Sequence, residues 1–197
     1  MAELAETASQ PPRQEELRAT LFRHWGHRDF RTHQGEVVVK ALQGYDVLVL
    51  MATGSGKSLC YQLPAAWAHS QPPGSFAGGR CTIVVSPLVS LMEDQVAALT
   101  SRGVPAVMLG GRQSSNCSLE ADAIAGKFAL VYMAPEKLVR WQHGLRAMDT
   151  RGGGILSFAV DEVLALPALP AHMHAYVGSF VSVHVSSCPL LSGALRQ

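Results

Sequence analysis

The stretch Asp46-Val-Leu-Val-Leu-Met-Ala-Thr-Gly-Ser-Gly-Lys-Ser-Leu-Cys-Tyr-Gln-Leu-Pro64 decides how the rest of the chain is read. Asp46 to Leu50 reads as a short strand, apolar after its aspartate, the signature of a buried strand. A glycine-rich turn follows. A helix is then expected to begin near Lys57 and to stop before Pro64, because proline lacks the N–H that a helix interior needs. A glycine-rich turn between a strand and a helix is the setting of a phosphate-binding loop. Gly54 and Gly56 let backbone amides turn inward around phosphate oxygens, where a Cβ would crowd them. The helix adds its unpaired N–H groups and positive end. Lys57 can neutralise the β and γ phosphates, and Ser58 can offer its hydroxyl to Mg²⁺. Met51 stands where the general eight-residue pattern has its first glycine, but Thr53-Gly-Ser-Gly-Lys-Ser58 is intact.

Outward from this loop the chain alternates helices and strands. Upstream, helical patterns run from Glu15 to about Trp25 and over 34–43, closed by Gly26 and Gly44. Downstream, strands are expected at Thr82–Val85, 104–109, 129–133 and Ile155–Val160, with helices over 88–100, 119–125 and Glu136–Trp141. Strands that are apolar throughout, alternating with helices, predict a mostly parallel sheet covered on both faces. The fold class is therefore α/β, with three layers.

The chain has 197 residues, 48% of them hydrophobic, enough for one packed domain and a small appendage. A net charge of +1 gives no general pull towards nucleic acid, so any claim for DNA must rest on motifs. Cys60, Cys81, Cys117 and Cys188 are spaced too irregularly for a zinc site and fit a reducing compartment. The first residues are acidic where a signal peptide would be basic, and no 18-residue apolar run suggests a membrane partner. Residues 1–12 read as a mobile leader and 13–162 as the domain. After Glu162 the only charged side chain is Arg196, although the chain has 16 basic and 15 acidic residues. Residues 163–197, with Pro167, Pro170 and Pro189, show no sustained periodicity and read as a poorly ordered tail.

A phosphate loop needs a partner acid. Asp161 closes the apolar run Ile155-Leu-Ser-Phe-Ala-Val160, at the strand end where ligands bind in such sheets. It is the candidate to hold Mg²⁺ through water. Glu162 follows and is the candidate to orient and deprotonate water attacking the γ phosphate.

Taken together, these motifs resemble the RecQ-like DNA helicases of superfamily 2. Met51 to Pro64 looks like that family's motif I, and its Leu-Cys-Tyr-Gln-Leu-Pro continuation is more specific than the loop itself. Phe30-Arg-Thr-His-Gln34 is similar to the adenine-recognition motif. Val84-Val-Ser-Pro-Leu-Val-Ser-Leu-Met-Glu-Asp-Gln-Val96 resembles motif Ia, Tyr132-Met-Ala-Pro-Glu136 a segment ending in Pro-Glu, and Ala159-Val-Asp-Glu162 motif II. The resemblance spans about residues 17–162 and implies a P-loop NTPase with a RecA-like first lobe. It also implies that ATP and Mg²⁺ are the cofactors and that ATP hydrolysis drives 3′–5′ DNA unwinding in the complete protein. Cofactor-binding positions would be His27, Arg31, Gln34, Thr53, Gly54, Ser55, Gly56, Lys57 and Ser58, with Gln34 reading the adenine edge and His27 stacking on the base. Lys57, Asp161 and Glu162 would be catalytic, and Ser58 and Asp161 would serve the metal. Ser86, Pro87 and Ala134 would grip the DNA backbone without reading bases. The family implies the nucleus in a eukaryote and the cytoplasm otherwise.

The resemblance ends at Asp161-Glu162-Val163-Leu164, where the family continues with alanine, histidine and an aromatic-rich loop. The second lobe, which supplies an arginine finger, is not encoded here. This chain alone is therefore expected not to unwind DNA. Two other readings stand beside this one: a lobe of a DEAD-box RNA helicase, and a non-catalytic ATP- or nucleic-acid-binding module.

Overall fold

The computed structural model describes residues 12–52, 54–72, 79–110, 117–151, 153–161 and 181–184. The order begins with α1 (Gln14–Trp25), α2 (Gln34–Leu42), β1 (Val47–Val49), α3 (Leu59–Ser70) and β2 (Cys81–Val85). It continues with α4 (Val89–Ser101), β3 (Ala106–Leu109), α5 (Cys117–Ile124), β4 (Leu130–Met133) and α6 (Pro135–Arg140), then α7 (Gln142–Arg151), β5 (Ile155–Val160) and β6 (Val181–His184).

Six strands form one sheet in the order β1-β6-β5-β2-β4-β3. β5, β2, β4 and β3 are mutually parallel. β6 runs antiparallel to both β5 and β1, so β1 points the same way as the parallel four. β2 and β4 are buried along their whole length, as a sheet covered on both faces requires.

The period-2 alternation of the strands divides the core. Val84, Leu130, Tyr132 and Ala159 face one side and pack with Cys60, Tyr61, Met92 and Leu99 of α3 and α4. Ile83, Val85, Val131 and Met133 face the other and pack with Ala123, Trp141, Leu145 and Met148, from α5 to α7. Three layers result. Outside α3, Leu17, Leu21, Val38 and Leu42 of α1 and α2 close over Leu59, Leu63 and Trp67.

Three features depart from the sequence reading. α3 does not stop before Pro64 but runs through it to Ser70. Proline inside a helix costs about 3 kcal/mol. Residues Leu59 to Ala68 are all buried, and each large apolar side chain withdrawn from water is worth roughly 1.5–3 kcal/mol, so packing outweighs the local penalty. The second departure is α7, in a region where no element was expected. Trp141, Leu145 and Met148 fall at spacings of four and three and make one apolar face. A Cβ on Gly144 would lie 2.1 Å from the Trp141 ring, so helix and indole meet over a bare backbone. The third is β6: within the charge-poor tail, Val181–His184 is a strand of the main sheet.

Candidate nucleotide site

Because β1, β5, β2 and β4 all point the same way, the segments that follow them emerge along one edge of the sheet. The phosphate loop follows β1, Asp161 follows β5, Ser86 and Pro87 follow β2, and Ala134 follows β4. Motifs scattered over more than a hundred residues thus share one rim, the edge at which parallel α/β sheets bind ligands.

The loop has the conformation its glycines suggest. Gly54 and Gly56 have φ of 79° and 87°, a left-handed backbone that L side chains rarely adopt. The chain then winds into α3 through Leu59 N–H to Gly56 O (3.1 Å) and Gln62 N–H to Ser58 O (3.0 Å). Lys57 curls back so that its ammonium donates to Met51 O at 2.8 Å, which holds the charge over the loop. Thr53 lies outside the described residues, as does Glu162.

Gln34 is only 2% exposed and is built into this loop. Its amide nitrogen donates to Gly56 O (3.1 Å) and Ser55 O (3.3 Å), while its oxygen accepts from Arg31 N–H (2.8 Å). A Cβ on Gly56 would lie 2.5 Å from that amide nitrogen, so glycine is required there by proximity as well as by φ. The sequence reading gave Gln34 to adenine alone; the fold also makes it a brace between the 30–34 turn and the phosphate loop. Arg31 is exposed and its guanidinium donates to Gly54 O at 3.4 Å. Exposed His27, with Trp25, Arg31, Gln34, Ser58 and Gln62, borders an open cleft of about 450 Å³ beside the loop. The turn that carries His27 is tied down by the Arg18–Asp29 ion pair, 3.1 Å. The Asp29 carboxyl is held below its ordinary range by the Phe30 N–H first and by Arg18 second.

Asp161 is 6% exposed. Its N–H donates to Val85 O at 3.0 Å, extending the β5–β2 ladder to the rim, and its carboxylate accepts the Tyr61 hydroxyl at 2.8 Å. Tyr61 comes from α3, one turn beyond Ser58, whose hydroxyl faces the same phenol. Burial pushes the Tyr61 hydroxyl well above its ordinary pKa, and the neighbouring Tyr132 and Asp161 push it further, so it remains a donor. Among the described residues no cluster of three or more His, Cys, Asp or Glu is placed to hold a metal. Ser58 and Asp161, which both face the Tyr61 hydroxyl, offer hard oxygens, the donor class that Mg²⁺ takes. Cys60 and Cys81 are buried, with thiols pushed up to about 11 and about 12 by desolvation, and neither is poised for chemistry.

Of the proposed DNA contacts, Ser86 is buried at 2% exposure and turns its hydroxyl to Leu88 N–H at 3.4 Å, while Pro87 and Ala134 are half-buried. Ala134 caps α6 by accepting from Lys137 and Leu138 N–H groups. Because β2 and β4 are paired neighbours, these residues share a short stretch of the rim.

Residues 31–163 match the family model for the DEAD/DEAH box helicases. The chain belongs to that family. Within it the chain is a RecQ-like lobe. It is 42% identical over 77% of its length to the ATP-dependent helicase wrn-1 of Caenorhabditis elegans, and 33% identical over 79% to the ATP-dependent DNA helicase RecQ of Haemophilus influenzae. It is also 40% identical over 68% of its length to the ATP-dependent helicase SGS1 of Saccharomyces cerevisiae. The matches cover 13%, 30% and 9% of these relatives, so the chain represents a small part of a helicase of their size. The helicase fold accounts for the convergence of Lys57, Ser58 and Asp161 on one rim. The sequence reading gave no site role to Tyr61, Gln62 or Tyr132, whose signals were the Leu-Cys-Tyr-Gln continuation and the segment Tyr132-Met-Ala-Pro-Glu136. No helix among the described residues is long and apolar enough to cross a membrane.

Proposed function

We propose that this lobe binds Mg²⁺-ATP on the rim described above and serves ATP-driven 3′–5′ unwinding of DNA in a protein that brings a second lobe to the same face. The observation that carries the reading is the alignment of β1 and β5, which sets the glycine loop with Lys57 and Ser58 on the same edge as Asp161. When bound, Mg²⁺ would neutralise phosphate charge. Ser58 and Asp161 would hold it, largely through water, and Lys57 would leave Met51 O for the phosphates. Glu162 is the proposed base. Ser86, Pro87 and Ala134 would meet the DNA backbone, with backbone amides supplying the contacts because the Ser86 hydroxyl is turned inward. A nuclear location in a eukaryote, or a cytoplasmic one otherwise, goes with this function.

Two measurements test the site. Lys57→Ala removes the loop cation proposed to meet the phosphates, and nucleotide affinity should fall by at least tenfold, the effect of losing about 1.5–3 kcal/mol in a charge-assisted hydrogen bond. Superimposable titrations of a fluorescent ATP analogue would remove Lys57 from the site. Gln34→Ala should act twice. Loss of the brace weakens ATP and GTP alike, and loss of base recognition narrows the preference for ATP over GTP. A preference that survives intact would confine Gln34 to the brace.

A further inference from the structure

Behind the phosphate loop, a buried polar chain crosses the α3 layer. The Tyr61 hydroxyl donates to Asp161 at 2.8 Å. The Tyr132 hydroxyl, on β4, lies against Tyr61 and accepts from the Gln62 amide at 3.2 Å, and the same amide donates to Gln95 of α4 at 2.6 Å. Tyr61 is fully buried and Tyr132 nearly so. Burying two phenols and the Gln62 amide among apolar side chains is unfavourable unless each finds partners. Phenylalanine at position 61 would pack as well without the polar cost. The hydroxyl therefore has a task beyond filling space, and the group it reaches is the carboxylate assigned to the metal.

We propose that Tyr61 is a positioning residue for the metal site, fixing the carboxylate of Asp161 with its phenolic hydroxyl so that the acid faces the Ser58 side of the phosphate loop. Geometry supplies the reasons. Tyr61 sits three residues after Ser58 on one helix, so the hydroxyl that would bind Mg²⁺ and the phenol that holds the acid share one face of α3. The ring is fully buried in the core cluster that also holds Val84, Tyr132 and Ala159. Partners that orient a metal-binding carboxylate matter because a misdirected oxygen binds the ion or its water poorly; their loss typically lowers metal affinity by about 10–100-fold. This inference rests on the Mg²⁺-nucleotide reading above.

The test uses the full 197-residue chain and a fluorescent ADP probe, titrated with EDTA present and then at rising Mg²⁺. Tyr61→Phe keeps the ring and deletes the hydroxyl. It should leave metal-free affinity within about twofold while raising the Mg²⁺ concentration for half-maximal enhancement by about tenfold. Tyr132→Phe deletes the neighbouring buried hydroxyl that accepts from Gln62, and should leave that concentration unchanged. An unaltered Mg²⁺ requirement in Tyr61→Phe overturns the proposal. So does an equal loss in both variants, or a Tyr61→Phe chain that no longer melts cooperatively, because either result assigns the hydroxyl to the core. If the unaltered chain shows no Mg²⁺ enhancement, the nucleotide-site reading falls and takes the proposal with it.

Discussion

Given ATP, Mg²⁺ and a duplex with a 3′ single-stranded overhang, the 197-residue chain should release no strand. Translocation along DNA needs two gripping bodies whose separation changes with the nucleotide state, and the described residues form one sheet with its covering helices. Hydrolysis should also be slow. An arginine donated from outside the nucleotide-binding lobe accelerates phosphoryl transfer by about 10³–10⁵ in the systems where it has been measured. Arg31, which touches the loop, is engaged with Gly54 O on the lobe's own side of the cleft. A fusion that restores the Asp-Glu-Ala-His continuation and adds a second RecA-like lobe from a RecQ relative should show both activities, because Lys57, Asp161 and Glu162 would then face a complete site. A strand-displacement assay decides the matter. ATP-dependent release by the chain alone, abolished by Lys57→Ala, would show that one lobe suffices and would sink the two-lobe argument.

Val183→Pro should unfold the nucleotide site from a distance. β6 lies between β1 and β5, with Val183 opposite Val47 on one side and Ala159 on the other. Among the described residues β1 has no other partner in the sheet. Proline at 183 lacks the N–H that this ladder uses, and proline is excluded from central strands for that reason. A carbonyl left unpaired in the sheet costs about 1–3 kcal/mol, and the ring adds steric conflict with its neighbours. Small domains are held by roughly 5–15 kcal/mol, so the urea midpoint should fall markedly. Nucleotide affinity should fall with it, because β6 is what registers the loop after β1 against the acid after β5. Val183→Thr keeps the N–H and a β-branched side chain and should stay close to the original in both measurements. If Val183→Pro leaves midpoint and affinity unchanged, β6 is not what holds β1 in place. The result matters for any account of residues 163–197, since a tail with no helicase-like sequence supplies a strand to the helicase sheet.

What the sequence determined by itself were the features carried by local chemistry. The glycine spacing, the apolar run before it and the helix after it sufficed for the phosphate loop, because the loop's conformation is set by its own φ angles, 79° at Gly54 and 87° at Gly56. Five apolar runs sufficed for the parallel layers, since strands buried on both faces have little alternative composition. Only the tertiary structure decided the remainder. Pro64 stays helical because the surface buried along Leu59 to Ala68 exceeds a local cost that no window of sequence can weigh. β6 forms because β1 and β5 present unpaired backbone groups to whatever chain lies between them, a demand made by the sheet and absent from Val181-Ser-Val-His184 read alone. Gln34 is drawn into the loop it was expected only to neighbour, for its buried amide must satisfy both protons and finds Ser55 O and Gly56 O first. Tyr61 and Asp161, a hundred residues apart, become hydrogen-bonded because α3 packs across the strand that ends in the acid, and packing distance is not a property that spacing along a chain can express.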